Sequence, residues 1–152
     1  MAKLYFFASV GVLFLISFEP SLLIQLDDTY YAYQTNLTFV EALGACKELG
    51  MDLLRINSAN ESTYIHTIMA DADVAISGIG YWMGGLYLNT GAWVWIETGV
   101  LLNYTKWGAN EPNVTATGDY CLQLGKDNDG KSTINWQAKL CTANRYYICQ
   151  QS

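Results

Sequence analysis

The residues of this 152-residue chain whose types and spacing can do chemistry are its four cysteines, its single histidine, the carboxylates Glu111 and Asp119, and four Asn-x-Ser/Thr triplets. Cys46, Cys121, Cys141 and Cys149 are separated by 75, 20 and 8 residues, which lacks the close CxxC pairs of a four-cysteine zinc site. Disulfides are the reading, and four cysteines allow three pairings that spacing leaves open. Glu111 and Asp119 can be set side by side as an acid/base pair. They sit in a polar stretch with no apolar pocket to raise one pKa, so an enzyme is not expected. His66 has no serine, cysteine or carboxylate near it that proposes a triad, and reads as a surface or boundary residue. Asp127 and Asp129 fall in DNDG, a turn tip that lacks the remaining positions of an EF-hand loop. Asn36, Asn60, Asn103 and Asn113 open N-glycosylation triplets.

The elements that must position these residues begin with an extended, aromatic-rich stretch, Thr29 to Gln34. Thr38 and Glu41 form a capping-box pattern, and Phe39, Val40, Leu43, Cys46 and Leu49 follow at helical spacing until Gly50. Ser58 and Glu61 repeat the pattern before a second helix carrying Tyr64, Ile65, Ile68 and Met69. Beyond Gly78 come short strands, with a turn at Asn89 to Gly91. A long irregular stretch from Trp107 to Tyr120 follows, then strands at Cys121 to Leu124 and Tyr146 to Gln150. This order predicts an α+β domain. Trp82, Trp93, Trp95 and Trp136 read as packing residues, and Trp107 as the anchor of the long loop. Loops of that length tend to bind something or to be disordered.

Lys3 precedes fifteen largely apolar residues, Leu4 to Phe18, which reads as a signal peptide. The run is short of the roughly 20 residues of a membrane span. Residues 1–22 are taken as the leader, with cleavage expected between 18 and 27. The remainder is expected to be secreted, in a compartment where disulfides persist. A net charge of −6 with no basic cluster excludes nucleic acid and anionic membrane as partners.

Residues 29–150 resemble the C-type lectin-like domain. The resemblance is carried by TFVEALGACKELGMDLLRI, YWMGG, WVWIETG, EPN at 111–113, DYC at 119–121, WQAKLC at 136–141 and the closing YYICQ. It implies two helices packed on short antiparallel sheets with a long irregular binding loop, and disulfides Cys46–Cys149 and Cys121–Cys141. It is similar to small secreted single-domain lectins abundant in insects, where roles in immunity or reproduction are common.

The resemblance further implies a calcium ion on the long loop, coordinated by two vicinal sugar hydroxyls and by hard oxygen donors. Glu111, Asn113 and Asp119 match the ligand positions, with Pro112 the cis proline between the first two and mannose-, fucose- or GlcNAc-type glycans the ligand class. Asp119 stands where the family usually has glutamate. Gln137 and Ala138 stand where it typically has Asn-Asp: Gln137 keeps an amide oxygen on a longer arm and is the imperfect fourth member of the sugar-binding set, whereas Ala138 lacks the ligating carboxylate, so the calcium site is degenerate. No acidic residue lies between Gly84 and Gly91 for an auxiliary ion. A glycan on Asn113 would also obstruct the loop. Two functions are therefore expected: a glycan-binding lectin, or a lectin-like scaffold that binds a protein or other extracellular ligand without calcium.

Overall fold

The computed structural model describes residues 23–74, 79–115, 117–126 and 134–152, which hold two helices and eight strands. In chain order these are β1 (Leu23–Gln25), β2 (Tyr30–Leu37), α1 (Phe39–Glu48), β3 (Met51–Leu53), α2 (Ala59–Asp71), β4 (Tyr81–Tyr87), β5 (Trp93–Trp95), β6 (Tyr120–Lys126), β7 (Ile134–Leu140) and β8 (Arg145–Gln151).

Both helices start where their caps predict. The Thr38 hydroxyl and the Glu41 carboxylate satisfy one another's backbone N–H groups. Ser58 Oγ accepts from Glu61 N at 3.1 Å, but Glu61 reaches past the cap to accept from Asn57 N at 2.7 Å. Gly50, at φ 71°, ends the first helix through a bond to Lys47 O. The apolar stripes are narrower than periodicity suggests. Phe39, Ala42 and Cys46 are buried on α1, whereas Val40 is 71% exposed. Ile65 and Met69 are buried on α2, and the Tyr64 hydroxyl turns outward to donate to Asp27.

The strands form one sheet in the order β1-β2-β8-β4-β6-β7, with β3 joining β8 and β5 joining β4. It is not wholly antiparallel, as had been expected: β4 and β8 run parallel through Tyr81↔Tyr146 and Trp82↔Tyr147. These strands are connected through β5, β6 and β7 rather than by a hairpin, so nothing forces opposite directions. β7 was not foreseen as a strand. It pairs along its whole length with β6, from Tyr120↔Leu140 to Lys126↔Ile134. The expected turn tip at Asp127 and Asp129 lies outside the described residues.

Alternation along the strands buries both faces of the sheet. Tyr81, Met83, Leu122, Leu124, Trp136 and Ile148 point to the α2 side, where Ile65 and Met69 meet them. Trp82, Cys121, Tyr147 and Cys149 point to the α1 side against Phe39, Ala42 and Cys46. Phe39 packs edge-on to Trp82, whose indole N–H donates to Leu37 O at 2.9 Å. Cys46 is bonded to Cys149 and Cys121 to Cys141. The first pins α1 to β8, and the second ties the start of β6 to the end of β7.

Candidate functional site

β7 lies at the end of the sheet, and the long loop runs along its open edge. Trp136 N donates to Lys106 O at 2.7 Å, and Gly108 N donates back to Trp136 O at 2.9 Å. The next N–H that faces this open edge belongs to Ala138, and it donates to Glu111 Oε2 at 2.9 Å. The Glu111 carboxylate thus stands where another strand's carbonyl would continue the ladder. The same oxygen accepts from Asn113 N at 2.9 Å, closing the turn around the cis Glu111–Pro112 bond. The other oxygen, Oε1, faces the Lys139 ammonium at 3.8 Å.

The expected site residues therefore separate into two groups. Glu111 and Asn113 meet through the carboxylate and the backbone, with Asn113 exposed at the loop surface. Asp119 is exposed where the loop rejoins the sheet, its carbonyl accepting from Cys141 N at 3.0 Å. Gln137 lies elsewhere. Its register partner is Gln123, so it points to the α1 side while Trp136 and Ala138 point to the other. Gln137 Oε1 accepts from Gln123 Nε2 at 2.7 Å, its own amide donates to Lys126 O, and Gln123 Oε1 accepts from Arg145 Nε at 2.6 Å. This chain of side-chain bonds satisfies Gln123, which is only 4% exposed. Lys139 had not been singled out in the sequence. The signal that could have found it is a basic residue directly after the position that lacks its acidic ligand.

These donors do not fit a resident calcium ion, which takes six to eight oxygens. Gln137's oxygen is committed on the far face, and Ala138 offers no side-chain donor. One Glu111 oxygen already accepts two N–H groups and the other looks onto an ammonium. Asn113 and Asp119 remain, and they are too few. Among the described residues no three His, Cys, Asp or Glu side chains converge as a metal site.

The loop's entry is held from α2. Lys106 Nζ lies 3.1 Å from His66 Nδ1. With that nitrogen facing an ammonium, the ring proton belongs on Nε2, which is buried without a partner among the described residues. Burial, and then the Lys106 charge, push the His66 pKa down from 6.5 to about 4. A neutral imidazole in the fold and a protonated one in the unfolded chain mean that His66 contributes stability above pH 6.5. That contribution is lost as pH falls toward 4. Thermal unfolding should show a midpoint that declines across this window, and His66→Gln should flatten the decline. An unchanged slope in the variant would contradict the assignment. The ring is only partly buried, so the effect is a fraction of what the full shift implies.

One domain family matches this chain: the model of the lectin C-type domain covers residues 35–151. The chain belongs to the C-type lectin domain family. That family is one of carbohydrate-binding domains rather than enzymes. Among relatives, perlucin from Haliotis laevigata is 28% identical over 123 residues, covering 80% of this chain and 75% of perlucin. Human C-type mannose receptor 2 is 28% identical over 130 residues, which are 84% of this chain and only 8% of that receptor. Among solved structures, the carbohydrate-recognition domain of a mouse scavenger receptor C-type lectin aligns at TM-score 0.64 and 22% identity, covering 86% of this chain and 94% of that one. A calcium-independent type II antifreeze protein aligns at TM-score 0.63 and 24% identity, over 88% of this chain and 93% of its own. At these identities the two structures speak for the fold alone.

Proposed function

We propose that this chain is a secreted glycan-binding domain whose ligand rests on the loop between Trp107 and Tyr120. The observation that carries the reading is the Glu111 carboxylate bridging Asn113 N and Ala138 N. It fastens the loop to the sheet and leaves the Asn113 amide and the Asp119 carboxylate at exposed positions. An amide and carboxylates held on a rigid edge can hydrogen-bond adjacent hydroxyls of a hexose, and mannose-, fucose- and GlcNAc-type ends are the class of ligand. Gln137 supports the sheet from below instead of touching the ligand. Secretion is supported by the leader-like residues 1–22, the two disulfides and the exposure of all four sequon asparagines. Cleavage at or before residue 22 keeps β1 whole, whereas later cuts in the 18–27 window remove part or all of it. Among the described residues no helix is long and apolar enough to cross a membrane.

A glycan array probed with protein made without N-glycans tests the site. Asn113→Ala and Asp119→Ala are each expected to weaken binding at least about tenfold, or about 1.4 kcal/mol. Leaving N-glycans off means that loss of the Asn113 sequon adds nothing. Retention of full binding by both variants would remove this loop from the function. The second reading, a lectin-like scaffold for a protein or other extracellular ligand, is favoured by the misfit of calcium to the donors at Glu111, Gln137 and Ala138. An array with no bound glycan would favour it.

A further inference from the structure

The charge that balances Glu111 comes from inside the chain. Lys139 is paired with Cys121 on the α1 side of β7, but β7 is an edge strand and a four-carbon stem can wrap around it. The ammonium ends 3.8 Å from Glu111 Oε1, with the lysine side chain 35% exposed and that of the glutamate 11%. A carboxylate so nearly buried needs counter-charge and hydrogen bonds together. The N–H groups of Asn113 and Ala138 supply the bonds on Oε2, and Lys139 supplies the charge beside Oε1.

The 3.8 Å separation also matters chemically. It is an ion-pair distance longer than a hydrogen bond, so neither the ammonium donors nor the Oε1 lone pairs are used up on one another. A hydroxyl oxygen placed about 2.8 Å from each completes a triangle, donating its proton to Oε1 and accepting one from Nζ. A divalent cation at a sugar site acts in the same two ways: it neutralises carboxylates and offers positive charge to hydroxyl oxygens.

We infer that Lys139 takes the place of a divalent cation at this loop: its ammonium both balances Glu111 and holds a ligand hydroxyl, so that glycan binding is independent of calcium and dependent on Lys139. The ligand half of this inference rests on the glycan-binding reading above. The carboxylates of Glu111 and Asp119 disfavour anionic sugars, which leaves the hydroxyl pairs of neutral hexoses as the ligand chemistry. The same ammonium repels any divalent ion approaching Glu111, consistent with the donor count at Gln137 and Ala138.

The experiment has a glycan arm and a metal arm, both on the folded, disulfide-bonded chain. In the glycan arm, binding to surfaces carrying mannose, fucose or GlcNAc is measured in millimolar calcium and in EDTA. Wild type should bind equally in both. Lys139→Ala should lose at least about tenfold in both, and Lys139→Arg should keep most of the affinity because it retains charge and donors. In the metal arm, the unfolding temperature is followed as calcium is added, with no glycan present. Wild type should not respond. The variant combining Ala138→Asp with Lys139→Ala, which removes the ammonium and restores a carboxylate, should gain a calcium-dependent rise. Loss of wild-type binding in EDTA, a rise of the wild-type unfolding temperature with calcium, or undiminished binding by Lys139→Ala would each overturn the inference. Wild type that binds no sugar surface in either buffer would instead defeat the glycan-binding reading and the ligand half with it. The metal arm would still decide the cation half: a double variant as inert as wild type counts against Lys139, and a gained response supports it.

Discussion

Replacing Cys46 and Cys149 together by alanine is expected to cost about 4.7 kcal/mol, from about a third to nearly all of the roughly 5–15 kcal/mol that ordinarily holds a domain folded. The bond closes 103 residues, nearly the whole domain, and chain-entropy arithmetic makes the stabilisation grow with the logarithm of the loop closed. Both cysteines are fully buried where α1 packs on β8, so the variant also loses the sulfurs' share of packing in the cluster that includes Phe39, Ala42 and Tyr147. The Cys121–Cys141 bond closes only 20 residues and should cost roughly 3 kcal/mol when removed the same way. Urea unfolding of both double variants checks the order as well as the size. Equal losses, or a greater loss from the shorter loop, would show that native packing around the sulfurs outweighs the chain-entropy effect.

Trp136→Ala is the second large loss, expected at about 3–5 kcal/mol from the cavity and the lost burial. Trp136 has no solvent exposure, and its ring meets three others nearly edge-on: Trp95 at 5.9 Å, Tyr104 at 5.6 Å and Trp107 at 6.1 Å. Each such contact adds about 0.5–1.5 kcal/mol beyond the area buried. Two of the three partners belong to the chain leading into the long loop, so the variant removes what holds that loop against β7 from the inside. Trp136 Nε1 is buried with no partner among the described residues. Trp136→Phe discards that unsatisfied donor and keeps an aromatic ring, so it should cost well under half as much. Near-UV circular dichroism together with urea titration distinguishes the outcomes. A loss below about 1 kcal/mol for Trp136→Ala would mean that the loop is held by its backbone bonds alone.

Local elements were legible because their determinants are neighbours in the chain. Thr38 and Glu41 sit within one turn of each other, and so do Ser58 and Glu61, so both helix starts can be read without tertiary information. The turn before β5 was legible through Gly91, which adopts φ 89°. The extent of each apolar stripe was less legible. Val40 fits the periodicity but is exposed, because the sheet beneath α1 is covered by Phe39, Ala42 and Cys46.

The candidate site divides along the same line. The residue types at Glu111, Asn113 and Asp119, the missing carboxylate at Ala138 and the resemblance to a lectin domain are properties of the amino-acid sequence. What those groups do depends on register and edge position, which are set by strands far away in the chain. Pairing Gln137 with Gln123 turns its amide toward Gln123 and the Lys126 carbonyl and away from the loop, and a shift of one residue would have reversed that. Leaving the far edge of β7 without a strand partner gives Glu111 a backbone N–H to bind, and lets Lys139 come around to face it. The sequence by itself determined which oxygens and charges are available. The tertiary structure decided that the carboxylate nearest the expected ion is already bound to two backbone N–H groups and faces an ammonium.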